Sequence, residues 1–126
     1  MHIVPVTKDE EQEQPVPSIW RDAFREVATA FSEGDFTLDR GVRWVSPISN
    51  EDAGHFARYV ADYGCTLTSL SDETWQTSVC QWLETHWEVL VDLFTVEEGM
   101  SDLVLFANVF EDGDQFRIEI FSVHVP

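Results

Sequence analysis

Residues 87–103 read Trp87-Glu-Val-Leu-Val-Asp-Leu-Phe-Thr-Val-Glu-Glu-Gly-Met-Ser-Asp-Leu103. Trp87, Val89, Val91 and Leu93 fall at every second position, which is the period of a strand with one face buried. Glu97-Glu98-Gly99 interrupts the alternation and predicts a turn. Beyond it, Asp102 to Phe110 puts Leu103, Leu105, Ala107 and Val109 on one face and Val104, Phe106 and Phe110 on the other. A strand that is apolar on both faces is covered on both, or sits in a curved sheet closing on a pocket.

The pattern extends in both directions. Upstream, Trp75 to Leu83 alternates and ends at the turn Glu84-Thr85-His86. Downstream, Glu111-Asp112-Gly113-Asp114 contains an Asp-Gly pair suited to a tight hairpin. Gln115 to Val125 then sets Phe116, Ile118 and Ile120 against Phe121, Val123 and Val125. Four consecutive strands with short turns predict an antiparallel meander.

The first half carries helical spacing instead. Ile19, Trp20, Ala23, Phe24, Val27, Ala28 and Phe31 share one face of a helix over 18–33, with Ser18 placed to cap it and Gly34 to end it. A second helix is expected over 49–63. Its start, Ser49-Asn-Glu-Asp52, resembles a capping box; Ala53, Phe56, Ala57 and Val60 form its apolar face, and Gly64 ends it. Short strands are expected at 42–45 and 66–70. The fold class is therefore α+β: two N-terminal helices packed on a four- to five-stranded antiparallel meander sheet. Residues 18–126 make one domain. Residues 1–17, acidic, Gln-rich and bounded by Pro17, are expected as a flexible tail, with Met1 to Val6 able to add an edge strand. The expected core comprises Trp20, Phe24, Val27, Phe31, Phe56, Val60, Val89, Val91, Leu105 and Ile118. Five tryptophans and nine phenylalanines in 126 residues supply large buried areas.

Charge excludes whole classes of partner. The chain holds 24 acids against 7 bases, for a net charge of −17. After Arg58 the only base is Arg117, so the sheet half carries most of the imbalance. Nucleic-acid binding needs Lys and Arg on phosphates, and anionic membranes repel such a surface. A basic protein partner fits this field; solubility or adaptation to salt would use the same charges without needing their position. The N-terminus has no secretory leader pattern, and no apolar run approaches the roughly 18 residues of a membrane span. A cytoplasmic location is expected, with Cys65 and Cys80 as reduced thiols.

Candidate chemistry centres on Asp92, Glu97, Glu98 and Asp102, with Trp87 as an aromatic anchor beside them. Two strands flanking a turn can bring Asp92 and Asp102 close together, and crowded carboxylates raise one another's pKa or hold a hard cation. The loop lacks the spacing of a calcium-binding EF-hand, and the same acids also suit a solvated turn. His2, His55, His86 and His124 show no metal-ligand spacing with each other or with either cysteine. A Cys80–His124 pair would require the sheet to bring them together. Lys8 is the only lysine, and no phosphate loop, dinucleotide turn or nucleophile elbow occurs. No catalytic residue, metal or cofactor is assigned.

The stretch from Trp87 to Leu103 resembles the signature of a small uncharacterised bacterial domain family, an Asp-Leu-Trp/Phe-Thr, Glu-Glu-Gly, Ser-Asp-Leu pattern. The likeness runs from about Pro17 to Pro126, with Met100 standing where the family pattern has Arg. It implies a single domain of bacterial origin and no particular activity. The stretch Phe24-Arg-Glu-Val-Ala-Thr-Ala-Phe-Ser-Glu-Gly-Asp-Phe36 is similar to the first helix of the nuclear-transport-factor-2-like cone fold, which would imply a pocket. No third helix stands before the sheet to complete that likeness. The expected function is a non-enzymatic protein-binding module of the immunity-protein or adaptor type. Its alternative is a ligand-binding pocket protein or small enzyme on a cone-like fold.

Overall fold

A computed structural model describes residues 6–126. The two stripes at helical spacing form α1, Ser18–Ser32, and α2, Asn50–Tyr63. α1 buries Trp20, Phe24, Val27 and Phe31 along one side, as a 3.6-residue repeat requires. Ile19 sits at the margin of that stripe and is exposed. Ser18 does not cap the helix: the chain enters from Pro17, and Ser18 is already the first helical residue. Ser49 does cap α2, its hydroxyl accepting from Asp52 N–H at 3.1 Å. α2 ends at Gly64, whose φ of +82° an L side chain rarely adopts.

Among the described residues, six strands make one sheet. They are β1 (Gln14–Pro15), β2 (Leu67–Thr68), β3 (Val79–Trp82), β4 (Trp87–Thr95), β5 (Gly99–Asp112) and β6 (Gln115–His124). The order is β1-β3-β4-β5-β6, with β2 paired to the far end of β4, and every pairing is antiparallel. The class is α+β with the helices preceding the long strands, and the short β1 and β2 enlarge the expected meander. The expected strand at 42–45 is reduced to isolated bridges. Trp44, at φ +69°, turns the chain there so that its carbonyl accepts from Ile118 N–H at 2.8 Å. That contact shields part of the free β6 edge.

Trp75–Leu83 is not one strand. Asp72–Gln76 forms a 3-10 turn and pairing starts only at Val79. The cause lies in β4, whose Val91–Leu93 segment falls between its partners β3 and β2. Buried hydroxyls replace the missing ladder there: Thr74 Oγ1 donates to Asp92 O at 2.7 Å, and Asp92 N–H donates to Ser78 Oγ at 3.0 Å. A continuous strand through Trp75 would remove both partners.

Each of the ten residues expected in the core is buried. The inner face of the sheet meets the helices through aromatic contacts. Trp20 of α1 stands edge-on to Trp87 and Phe116, with ring centres 5.2 and 5.4 Å apart. The segment expected as a flexible tail is described from Val6 onward; Met1–Pro5, and with them nearly all of the expected edge strand, lie outside the described residues. Its described part runs along the sheet. Gln14 and Pro15 pair with Cys80 and Val79, Val16 is fully buried, and Trp87 Nε1–H donates to Thr7 O at 2.9 Å. Buried indole N–H groups usually find an acceptor; this segment supplies one to Trp87, whereas those of Trp20 and Trp75 have none among the described residues.

Two bulges decide which side chains reach the outer face. Asp92 pairs with Val104 and Phe94 with Met100, so Ser101–Leu103 stand opposite Leu93 alone. Ser101 Oγ donates to Leu93 O at 2.8 Å and accepts from Leu103 N–H at 3.2 Å. On β6, Phe106 pairs with Ser122 but Ala107 with Ile120, leaving Phe121 as an extra residue. This shift returns Val123 to the buried side, which corrects the expectation that Phe121, Val123 and Val125 share a face.

Candidate functional site

The four acids expected to act together separate into two pairs. Glu97 and Glu98 sit in the β4–β5 turn and face back toward the end of α2. Glu97 Oε1 accepts from Thr66 N–H at 2.7 Å, and Glu98 Oε1 accepts from the Tyr63 hydroxyl at 2.6 Å. The Thr66 amide holds the Glu97 carboxyl below its usual range, since the bond favours the charged form. The Glu98 carboxylate, aided by burial, pushes the Tyr63 phenol up. These two acids clasp a hairpin to a helix end, a structural task.

Asp92 and Asp102 share a different surface, although Asp102 also adjoins the Tyr63 hydroxyl. Both line an open cleft of about 610 Å³, walled also by Thr77, Met100, Val104 and Val125. The bulge at Ser101–Leu103 brings Asp102 to this wall, because the added residues break the regular alternation of β5. Thr77 Oγ1 donates to Asp92 Oδ2 at 2.5 Å. Among the described residues, neither Asp92 nor Asp102 enters a salt bridge. Among the described residues the salt-bridged cations pair elsewhere: Lys8 with Glu111, Arg25 with Asp22 and Asp72, Arg40 with Glu33 and Asp35, and Arg117 with Glu119.

Trp87 is not beside this cleft. It lies at the opposite end of β4, fully buried among Trp20, Trp82 and Phe116. A ring without exposed surface offers none to a partner, so the aromatic-anchor expectation fails on burial. Cys80 and His124 are likewise apart. Cys80 points into the core from β3, and burial pushes its thiol up to about 11, which keeps it protonated. Burial and the neighbouring Glu97 and Glu98 carboxylates raise the Cys65 thiol too. Both cysteines are free thiols.

Sequence reading missed the outer-face residues beside Asp92. Leu90 pairs with Phe106, Val104 with His124 and Phe106 with Ser122. His124 stacks on Phe106, ring centres 4.2 Å apart and planes within 5°. Ser122 Oγ and His124 Nδ1 are 2.6 Å apart. Among the described residues no carboxylate hydrogen-bonds His124, so this pair lacks the orienting third group of a nucleophilic site. The signal for this surface was the two-faced apolar pattern of 103–110. Among the described residues, no group of three or more His, Cys, Asp or Glu side chains could hold a metal ion. No helix among them is long and apolar enough to cross a membrane.

Fold and site together define a small acidic α+β domain, roofed by helices on one sheet face and open on the other beside an acidic cleft. The chain belongs to the family described as Domain of unknown function (DUF7668), whose model matches residues 28–126. That span takes in the last turn of α1, all of α2 and every strand except β1. No curated protein and no solved structure matches the chain.

Proposed function

We propose that this domain is a non-enzymatic protein-binding module of the immunity-protein or adaptor type, acting in the bacterial cytoplasm on a basic protein. The observation that carries this reading is the Asp92–Asp102 cleft. It is open, and its two carboxylates have no salt-bridge partner among the described residues. It also lies in the half of the chain whose single base, Arg117, is 3.0 Å from Glu119. Uncompensated charge at a fixed place speeds encounter with an opposite charge and makes binding depend on salt. The alternative of a ligand pocket inside a cone has less support, because Trp20, Trp87 and Phe116 fill the space between helix and sheet.

The test uses the full chain as bait in an extract of its source cells. The doubly substituted Asp92→Asn, Asp102→Asn protein is the control. The expected result is a basic protein held by the parent, released by moderate salt and not held by the variant. If every protein held by the parent is held equally by the variant, the cleft has no such role and the reading is wrong.

A further inference from the structure

The outer face of the sheet is polar along the row Gln81, Glu88, Asn108 and Glu119 but carries apolar residues in the rows beside it. A sheet with one face on the core and one in water alternates apolar and polar residues along each strand. Here the inner residues of β4 and β5 obey that rule, but Leu90 and Phe106 occupy half-buried outer positions on neighbouring strands, beside Val104, which is buried. Phe121, thrown outward by the β6 bulge, adds a ring 5.9 Å from Phe106 and is 44% exposed. Farther along the same face, Phe110 is already capped by Arg117, 4.4 Å from its ring centre, and by the stacked His86. Beside the Asp92–Asp102 cleft, His124 stacks on one face of the Phe106 ring, while Leu90 stays half-buried and Phe121 exposed.

Size and charge select the occupant. β4, β5 and β6 together span about 10 Å at the normal strand spacing, which matches the width of one α-helix. Two helices already cover the inner face, and a third on the outer face would complete a three-layer arrangement. A second copy of this chain is a poor cover. A two-fold contact brings the same patch of each copy together, so Asp92 and Asp102 would face their own counterparts on chains of net charge −17. A helix with apolar residues on one side and Lys or Arg along its flank meets both the apolar row and the acids.

We propose that this sheet face is a docking surface for a basic amphipathic α-helix of another protein. The helix lies across β4–β6 with its apolar side on Leu90, Phe106 and Phe121 and its cations toward Asp92 and Asp102. The proposal rests on the basic-partner reading above and adds the surface and the shape of what binds.

A displayed library of helical peptides, randomised at both apolar and charged positions, is selected against the full-length protein. Backbone amide shifts of the protein are then followed on adding the enriched peptides. The expected outcome is enrichment of basic amphipathic sequences with shifts centred on Leu90, Phe106 and Phe121. Affinity should fall tenfold or more in Phe106→Thr, and in Phe121→Thr should Phe106→Thr fail to fold. Salt dependence should fall in the Asp92→Asn, Asp102→Asn protein. Enriched peptides that bind by charge alone, losing affinity with the two aspartates but not with either phenylalanine, would overturn the helix-docking surface and leave the basic-partner reading intact. No enrichment, or shifts confined to the helical layer, would overturn the proposal as well. So would sedimentation as a dimer that Phe121→Thr dissolves, because the occupant would then be a second copy.

Discussion

The two faces of this sheet are built from the same strands and made to do different things. Val89, Val91, Leu105 and Val109 point inward and are essentially inaccessible. Glu88, Leu90, Asp92 and Phe106 alternate with them and point outward, partly exposed. On the inner face, shape is saturated: Trp20 wedges against Trp87 and Phe116, and the buried aromatic area is large. On the outer face the apolar residues have no helix above them, and the acids of the cleft lack salt-bridge partners among the described residues. Apolar residues on a strand therefore say that a face is suited to contact, whereas only the rest of the chain decides whether that contact is internal.

The largest expected effect lies on the inner face. Trp87→Ala should cost about 3–5 kcal/mol, as truncating a buried aromatic does, and should also orphan the Thr7 carbonyl that accepts its indole N–H. Urea denaturation of this variant beside Phe106→Thr measures the contrast directly. Equal losses would mean that both faces carry the fold and that the outer face is not free for another task.

A smaller effect is expected where hydroxyls replace the β ladder. Thr74→Val removes the donor to Asp92 O and the contact to Ser78 Oγ, 2.9 Å away. Leaving a buried carbonyl unpaired costs about 1–3 kcal/mol. Ser101→Ala should behave alike, because it strips the bond to Leu93 O. Denaturation midpoints unchanged in both would show that the bulge around Asp92 is held by something other than these hydroxyls, and the cleft's geometry would need another source.

The turn clasp gives a pH dependence. The folded-state pKa of Glu97 is depressed, first by its bond from Thr66 N–H. Its contribution is present above the ordinary glutamate range and is lost as pH falls through the depressed folded value. Glu97→Gln keeps an acceptor oxygen but not the charge. The stability gap between parent and variant should be open at neutral pH and should close on acidification. Tyr63 behaves in the opposite direction: its raised pKa means a contribution present below the ordinary tyrosine value and lost as pH rises through the folded one. Paired thermal melts across acid, neutral and alkaline pH check both signs, and a gap that widens toward acid would contradict the clasp.

Period and punctuation made much of this fold legible. Strand β4 occupies the span that the alternation from Trp87 to Thr95 marks, and a tight hairpin does close at the expected place, one residue on: Asp112 pairs with Gln115, and Gly113-Asp114 make the turn, with Gly113 at φ +63°. What escaped was set by contacts distant in sequence. Trp75 reads as a strand residue because it alternates with Thr77 and Val79, yet the unpaired backbone of Asp92 recruits Thr74 and Ser78 and turns that segment into a 3-10 turn. Trp87 reads as a neighbour of the acidic turn, but a nine-residue strand carries it to the far end of the sheet. Glu97 and Glu98 read as equals of Asp92 and Asp102; only the position of Tyr63 and Thr66, some thirty residues earlier, assigns them to the clasp. The bulges at Leu93 and Phe121 leave no period in the sequence and still decide which side chains the open face presents.

The smallest expected effect tests whether that face has any internal cover. Phe121 is the extra residue of the β6 bulge, half exposed, and its ring meets Phe106 at 5.9 Å. Phe121→Thr keeps a residue suited to strands while removing the ring. Little area leaves water or returns to it, so stability should change by no more than about 0.5 kcal/mol, as for surface positions in general. The inner-face tryptophan and this outer-face phenylalanine would then differ severalfold in cost although both are aromatic residues of one sheet. A loss above roughly 1.5 kcal/mol, in the range of a fully buried side chain, would show that Phe121 roofs the outer face from within. The contrast between the faces would then collapse, and with it the reason to expect another protein's helix on the open one.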